Sequence, residues 1–437
     1  SLYAAMSPNA DPHFGESRVH SVVSRRNLLA RAAASGMVLA ATPFQALAAD
    51  RGAAGVKITA IESFDIQLPK VQGARTFLPA YRNMTAGRNN VVKVTTNAGI
   101  AGYSFLGSKR DEVAAASALM AGGNLFAVDG YIRRGLLDWP SVEEAVWDAI
   151  GRIAGQPLCR LFGGARLESM PVYFTYVWPV PEDELPAKAQ ADQAAQVRQA
   201  GFTAMKIQMM RSDYRRDVEA AAQMLAAGGP GFRVMVDRTA GARGLWTFDQ
   251  AAAAARALAA AGVYWLEEPL ARDDFEGPAR LRREVQGIII TGGEGWKGLV
   301  PFRKGLEAGT YGIMQPEMRT CAGPLTMLKI GALCEAWDIP IAPHAATGLA
   351  LAGRLQVSAA MGSLIQEIGV LQPGAFPWDV WDAYRPIFHG EPPFTFKGGS
   401  IVVPQYPGLG LNADEKALQK YRVPGFERRN VPGISKT

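Results

Sequence analysis

The sequence predicts an α/β architecture: a small α+β capping domain, then a TIM-like (β/α) barrel, then a C-terminal segment that returns to the cap. Three observations carry this expectation. Between Val56 and Gly164, strand-like segments come first and helical ones after. From Pro171 onward, eight short apolar runs alternate with Ala-rich helical stretches. Beyond Pro373 the chain turns rich in Pro and Gly. Strands grouped apart from helices mark an α+β unit, whereas regular β-α alternation marks a parallel sheet. The division that follows is a signal segment at 1–49, the cap at 50–170, the barrel at 171–372 and the returning segment at 373–437.

In the first module, Val56–Leu68 is rich in β-formers. Val91–Thr95 and Ala101–Phe105 flank the turn signal Asn97-Ala98-Gly99, which predicts a hairpin. Arg110–Ala121 and Ser141–Gly155 have helical periodicity. Ser141 with Glu144 has the spacing of a capping box.

The eight apolar runs are Val172–Val177, Ala204–Gln208, Arg233–Asp237, Val263–Glu267, Ile288–Thr291, Gly312–Gln315, Ile339–Pro343 and Leu364–Ile368. Helices fit between them at Ala187–Ala200, Tyr214–Ala227, Phe248–Ala261 and Pro324–Trp337. Seven to eight such units make either a barrel or a doubly wound sheet, and eight favour the barrel. The tail holds one helix, Ala413–Tyr421.

Composition bounds the partners. The 437 residues are 48% hydrophobic and 20% charged, an ordinary globular balance. The net charge of +6 is spread along the chain, so it gives no basic stripe for a nucleic acid. No 18-residue apolar run follows Asp50, so no membrane span is expected in the mature chain. Cys159, Cys321 and Cys334 have no metal-site spacing and stand in apolar contexts, which predicts buried thiols. Near the start, Ser24-Arg25-Arg26-Asn27-Leu28-Leu29 precedes a small, moderately apolar run that ends in Ala46-Leu47-Ala48. Paired arginines before such a run resemble a twin-arginine signal, which implies export to the periplasm and a mature start at Ala49 or Asp50.

Polar residues stand where the apolar runs end: Asp237, Glu267 with Glu268, Glu294, Glu317 and His344. In a β/α barrel those ends converge on one mouth, where active sites lie. Asp237, Glu267 and Glu294, on successive units, form an oxygen-donor set suited to one divalent cation, Mg²⁺.

Several segments resemble the mandelate racemase subgroup of the enolase superfamily. Ala145-Val146-Trp147-Asp148-Ala149-Ile150-Gly151-Arg152, Gly155-Gln156-Pro157-Leu158 and Leu161-Phe162-Gly163-Gly164 resemble its linker signature. Trp265-Leu266-Glu267-Glu268-Pro269 and Gly293-Glu294-Gly295-Trp296 are similar to its second and third metal-ligand segments. Gly201-Phe202-Thr203-Ala204-Met205-Lys206 resembles its lysine-bearing strand. The resemblance runs from about Val56 to Tyr421. It implies abstraction of the proton α to a carboxylate, giving an enediolate whose charge a divalent cation stabilises.

The resemblance further implies roles for individual residues. His344 with Glu317 matches the family's His–acid pair, with Glu where Asp is common. Lys206 matches the first lysine of a Lys-x-Lys pair, and Glu367 matches a position that hydrogen-bonds substrate. The cap's loops imply specificity residues, here Arg75, Tyr81 and Arg82, with Tyr103–Lys109 as a second segment.

Two positions depart from the family pattern. Gln208 replaces the second lysine, and an amide cannot accept and return a proton near neutrality; Gln208 is therefore expected to bind substrate only. Thr239 replaces a frequent Asn. Racemisation generally needs proton-transfer groups on both faces, whereas elimination needs one. The first expectation is thus a Mg-dependent lyase, a dehydratase of a hydroxy or sugar acid. Alternatives are a racemase or epimerase of an α-substituted carboxylate, and a degenerate periplasmic carboxylate-binding protein. A homo-oligomer acting on a small carboxylate is expected.

Overall fold

The cap sheet begins where β-branched residues alternate. β1 (Ile58–Gln67), β2 (Arg88–Thr96) and β3 (Ala101–Ser104) form an antiparallel meander, and Gly99 at φ 73° makes the turn between the last two. The computed structural model describes residues 55–68 and 88–423, apart from 109, 136–137, 177, 179–181, 210, 242–243, 345–347 and 371–373. The segment 1–49, expected to be a signal, and Arg75, Tyr81 and Arg82 lie outside the described residues.

Helices α1 (Arg110–Met120) and α2 (Pro140–Ala154) pack on this sheet. Val142, Ala145, Val146 and Ala149 of α2 share one apolar cluster with Ile58, Val92 and Val94. The expected capping box at Ser141 does not form. Pro140 takes the first helical position, where its missing N–H costs nothing, so Ser141 lies one residue inside the helix and is buried. Glu144 is released from capping, and its Oε2 accepts a hydrogen bond from the Ser104 hydroxyl.

The barrel strands are β4 (Ser169–Tyr176), β5 (Ala204–Gln208), β6 (Arg233–Asp237), β7 (Trp265–Glu267), β8 (Ile289–Gly292), β9 (Ile313–Met314) and β10 (Gln366–Val370). β4 to β9 pair in parallel in chain order, and β10 pairs with β4. The seventh apolar run is not a regular strand. It closes the ring through a bridge from Ile341 to Met314 and a hydrogen bond from Leu364 N to Ile341 O of 2.8 Å. Pro340 and Pro343 lack the N–H groups that a full ladder needs. Outside the strands lie α3 (Ala187–Gln199), α4 (Tyr214–Gly228), α5 (Phe248–Ala260), α6 (Glu276–Glu284), α7 (Val300–Ala308), α8 (Met318–Cys321), α9 (Pro324–Ala336) and α10 (Leu351–Met361). The three cysteines are buried and free.

The tail serves both modules. β12 (Ser400–Val402), hairpinned to β11 (Phe396–Lys397), pairs antiparallel with β4. After α11 (Glu415–Lys420), β13 (Arg422–Val423) adds to β1 as the cap's edge strand. No helix among the described residues is long and apolar enough to cross a membrane.

Candidate active site

The barrel interior is layered. Tyr173, Ala204, Met235, Trp265, Ile313, Ala342 and Ile365 form a closed apolar cluster inside the ring. Side chains on a strand alternate faces, so the residue two positions on points inward one level nearer the C-terminal mouth. Those residues are Thr175, Lys206, Asp237, Glu267, Gln315, His344 and Glu367. One apolar layer thus supports one polar layer. This explains why chemistry-bearing residues recur at seven strand ends.

Lys206 sits in the middle of the polar layer and is 1% exposed. Its Nζ lies 2.8 Å from Glu267 Oε2, 2.9 Å from Glu367 Oε1 and 3.8 Å from Asp237 Oδ2. Burial works against the charge, but Glu267 and Glu367 outweigh it and raise the ammonium well above its ordinary pKa. Lys206 is thus ion-paired with Glu267 and Glu367, with Asp237 close by. Glu367 also accepts from Tyr173 Oη at 2.8 Å and Thr175 Oγ1 at 2.5 Å. Burial opposes its ionisation, yet Lys206 and His344 hold its carboxyl below the ordinary range.

Across the mouth, His344 Nδ1 lies 3.0 Å from Glu317 Oε2, and Nε2 lies 2.8 Å from Glu294 Oε2. Glu317 is the N-cap of α8, where its Oε1 accepts from Arg319 N at 2.9 Å. Burial alone would raise this carboxyl, but Arg354 and then His344 hold it at about 2. Burial likewise opposes a charged imidazole, while Glu294 and Glu317 raise the pKa well above 6.5. Because Glu317 is an anion, it accepts a hydrogen bond from Nδ1–H, which leaves Nε2 as the nitrogen that can exchange a proton.

Asp237, Glu267 and Glu294 share this mouth. Burial and the neighbouring carboxylates raise Asp237 and Glu267, and Glu268 is pushed up to about 8. Among the described residues, Glu267 Oε1 and Glu268 Oε1 are buried with no hydrogen-bond partner. Crowded carboxylates with bare buried oxygens are the donor chemistry that a hard dication satisfies. The three do not, however, close on one point as expected from the sequence. No three of His, Cys, Asp or Glu among the described residues have a metal-holding arrangement. The protein's own cations meet these carboxylates: Lys206 lies on Glu267, and Arg272 bridges Glu268 and Glu294. Backbone strain marks the same rim. Thr239 at φ 54° and Glu268 at φ 44° stand just beyond two of the strand ends.

Gln208 ends β5, in register with Asp237 and partly buried, on the same strand face as Lys206. Tyr103, at the start of the second candidate segment, is 3% exposed, and Lys109 at its end lies outside the described residues. Arg211 is tied to Asp217, Leu185 O and Gln190. Sequence reasoning missed Tyr173, Thr175, Gln315, Arg272 and Arg354. Counting back two residues from Glu317 would have found Gln315. Arg354 shows as a lone cation within the apolar stretch Leu349–Met361.

Residues 189–417 match the family described as enolase C-terminal domain-like, which covers more than half of the chain. The chain belongs to the enolase superfamily. Within its mandelate racemase/muconate lactonizing enzyme branch, the curated relatives are dehydratases and cycloisomerases of sugar acids. The chain is 35% identical to the 3,6-anhydro-alpha-L-galactonate cycloisomerase of Streptomyces coelicolor over 283 residues, 65% of this chain and 71% of the relative. It is 31% identical to the D-galactonate dehydratase of Ralstonia nicotianae over 283 residues, 63% of this chain and 70% of that one. A solved racemase from Streptomyces coelicolor with bound magnesium has the same fold, with a TM-score of 0.65 at 24% identity, covering 84% of this chain and 100% of that one.

Proposed function

We propose that this enolase-superfamily member catalyses β-elimination from a sugar acid, removing the proton α to the carboxylate and expelling the β-oxygen. The observation that carries this reading is asymmetry across the mouth. His344, braced by Glu317, has its side chain 30% exposed at the mouth, whereas Lys206 is buried between Glu267 and Glu367. With Gln208 where the family commonly has a second lysine, that face lacks its usual proton acceptor, which favours elimination over two-base racemisation. The intact pair also speaks against a mere carboxylate binder.

Asp237, Glu267 and Glu294 would hold Mg²⁺. When bound, it supplies positive charge that stabilises the anion formed at the substrate carboxylate as the α-proton leaves. The residues of the chain do the rest. Lys206 presents fixed positive charge toward the substrate carboxylate, Gln208 hydrogen-bonds the sugar, and His344 Nε2 takes up or returns the proton. Glu317 keeps Nδ1–H donating, so Nε2 stays the working nitrogen. In the first reading the expelled oxygen is a hydroxyl, lost as water, and the protein is a dehydratase.

A second reading rests on the 35% identical cycloisomerase. If the β-oxygen belongs to a ring, the same step opens the ring, and product and substrate have equal mass. Incubating the protein with Mg²⁺ and a panel of open and anhydro sugar acids, followed by mass spectrometry, separates the two readings. Loss of water supports the dehydratase, a new isomer supports the cycloisomerase, and α-proton exchange in D₂O without either refutes elimination.

The signal at Arg25-Arg26 supports a further proposal, that the chain is exported folded to the periplasm. Arg25→Lys with Arg26→Lys should retain the precursor in the cytoplasm. Unchanged periplasmic protein would refute it.

A further inference from the structure

α10 is an unusual place for a charge. Ten of its residues are buried, and Arg354, 1% exposed, is among the largest wholly buried side chains of the protein. A guanidinium so placed is costly unless its donors are matched. Two of them are. Nη2 donates to Glu317 Oε1, and Nη1 donates to the backbone oxygen of His344 at 2.7 Å.

These two acceptors come from separate parts of the chain. Glu317 begins α8, and His344 follows the one barrel segment without a regular ladder. Resting on the reading that His344 is the proton-transfer group, we propose that Arg354 is a positioning residue that locks the Glu317–His344 pair by gripping acid and base from a single rigid group.

The geometry gives each half of the fork a task. With Oε1 of Glu317 taken by Arg354 and Arg319 N, the carboxylate offers Oε2 to the imidazole. With the His344 carbonyl held, the ring cannot swing away from that oxygen through its own backbone. The planar guanidinium matches two divergent acceptors at fixed spacing. A lysine in its place keeps the charge but grips from a single flexible nitrogen.

The test compares the full-length wild type with R354M and R354K, with folding checked by circular dichroism and thermal melting. In proton NMR, the Nδ1–H of a histidine donating to a carboxylate gives a low-field resonance, which here is assigned by its loss in His344→Asn. R354M should lose this resonance or move it upfield. On whichever sugar acid the wild type turns over, kcat should fall by more than about tenfold, within the range that misplacing a general acid–base group produces. KM should stay within about twofold, since ground-state binding does not use the fork. R354K should recover part of both. An R354M protein that keeps the resonance and its kcat overturns the proposal, as does one that loses only melting temperature while kcat per folded molecule is unchanged. If R354M does not fold, R354K decides, because wild-type values in both readouts would mean that the fork is unnecessary. A wild type that turns over no sugar acid refutes the proposed elimination, while the resonance still decides the role of Arg354.

Discussion

Two regions of this protein bury carboxylates, and three carboxylates of the first contrast with two of the second. At the barrel mouth, Glu294, Glu317 and Glu367 each face protein cations that outweigh burial and keep them ionised. On α2, Glu143 and Glu144 are buried between the cap sheet and the barrel helices. Glu143 receives only Leu325 N and the Trp147 indole, and Glu144 only the Ser104 hydroxyl. With burial dominant, both are pushed up to about 8. Fit is tight there: a Cβ on Gly353 would lie 2.0 Å from Glu144 Oε1. The same residue type is a charge-bearing element in one place and a neutral, shape-filling hydrogen-bond partner in the other. A cation accompanies each of the three ionised carboxyls, yet contact with one is not sufficient, since Glu268 meets Arg272 and is still pushed up to about 8.

Removing a cation from the mouth should therefore do the most damage. His344→Asn keeps approximate shape but removes the exchangeable proton, so kcat should fall by about 10²–10⁴-fold. Calorimetric binding of Mg²⁺ should persist, because no proposed metal donor is removed. An active His344→Asn enzyme would break the assignment.

Lys206→Met tests the sealed side. It leaves Glu267 and Glu367 without their shared partner, and breaking such a buried set costs about 3–5 kcal/mol. Urea unfolding should register this loss even without substrate, and an unchanged midpoint would show that Lys206 does not hold the layer together.

The α2 carboxyls should appear in the pH dependence of stability. The folded state keeps protons on Glu143 and Glu144 up to about 8, while an unfolded glutamate releases its own near the ordinary value of 4.5. Between those values the folded state binds more protons, so stability falls as pH rises through this window. Glu144→Gln should flatten the slope of melting temperature from about pH 5 to about pH 8. A slope identical to wild type would mean that Glu144 is ionised in the fold.

The smallest effect is expected at Gln208, where an alanine removes one neutral hydrogen bond. Gln208→Ala should lower kcat/KM by the equivalent of about 0.5–1.5 kcal/mol. A larger loss than that of His344→Asn would reverse the division of labour across the mouth.

The periodicity of the sequence was enough to read the barrel and the strand ends, and the family resemblance implied the pair His344–Glu317. Apolar runs spaced by helices have one economical packing, and strand alternation places every second residue inward. Gln208 could likewise be read directly, because an amide lacks a titratable proton wherever it stands. What lay outside that logic was partnership. That Lys206 is held by Glu267 and Glu367, and that Arg354 spans Glu317 and the His344 carbonyl, depend on distances between residues far apart in the chain. Alternation along one strand fixes the face a side chain points to, but not its height relative to the neighbouring strands. Only closure of the ring set those heights, and with them which charges met.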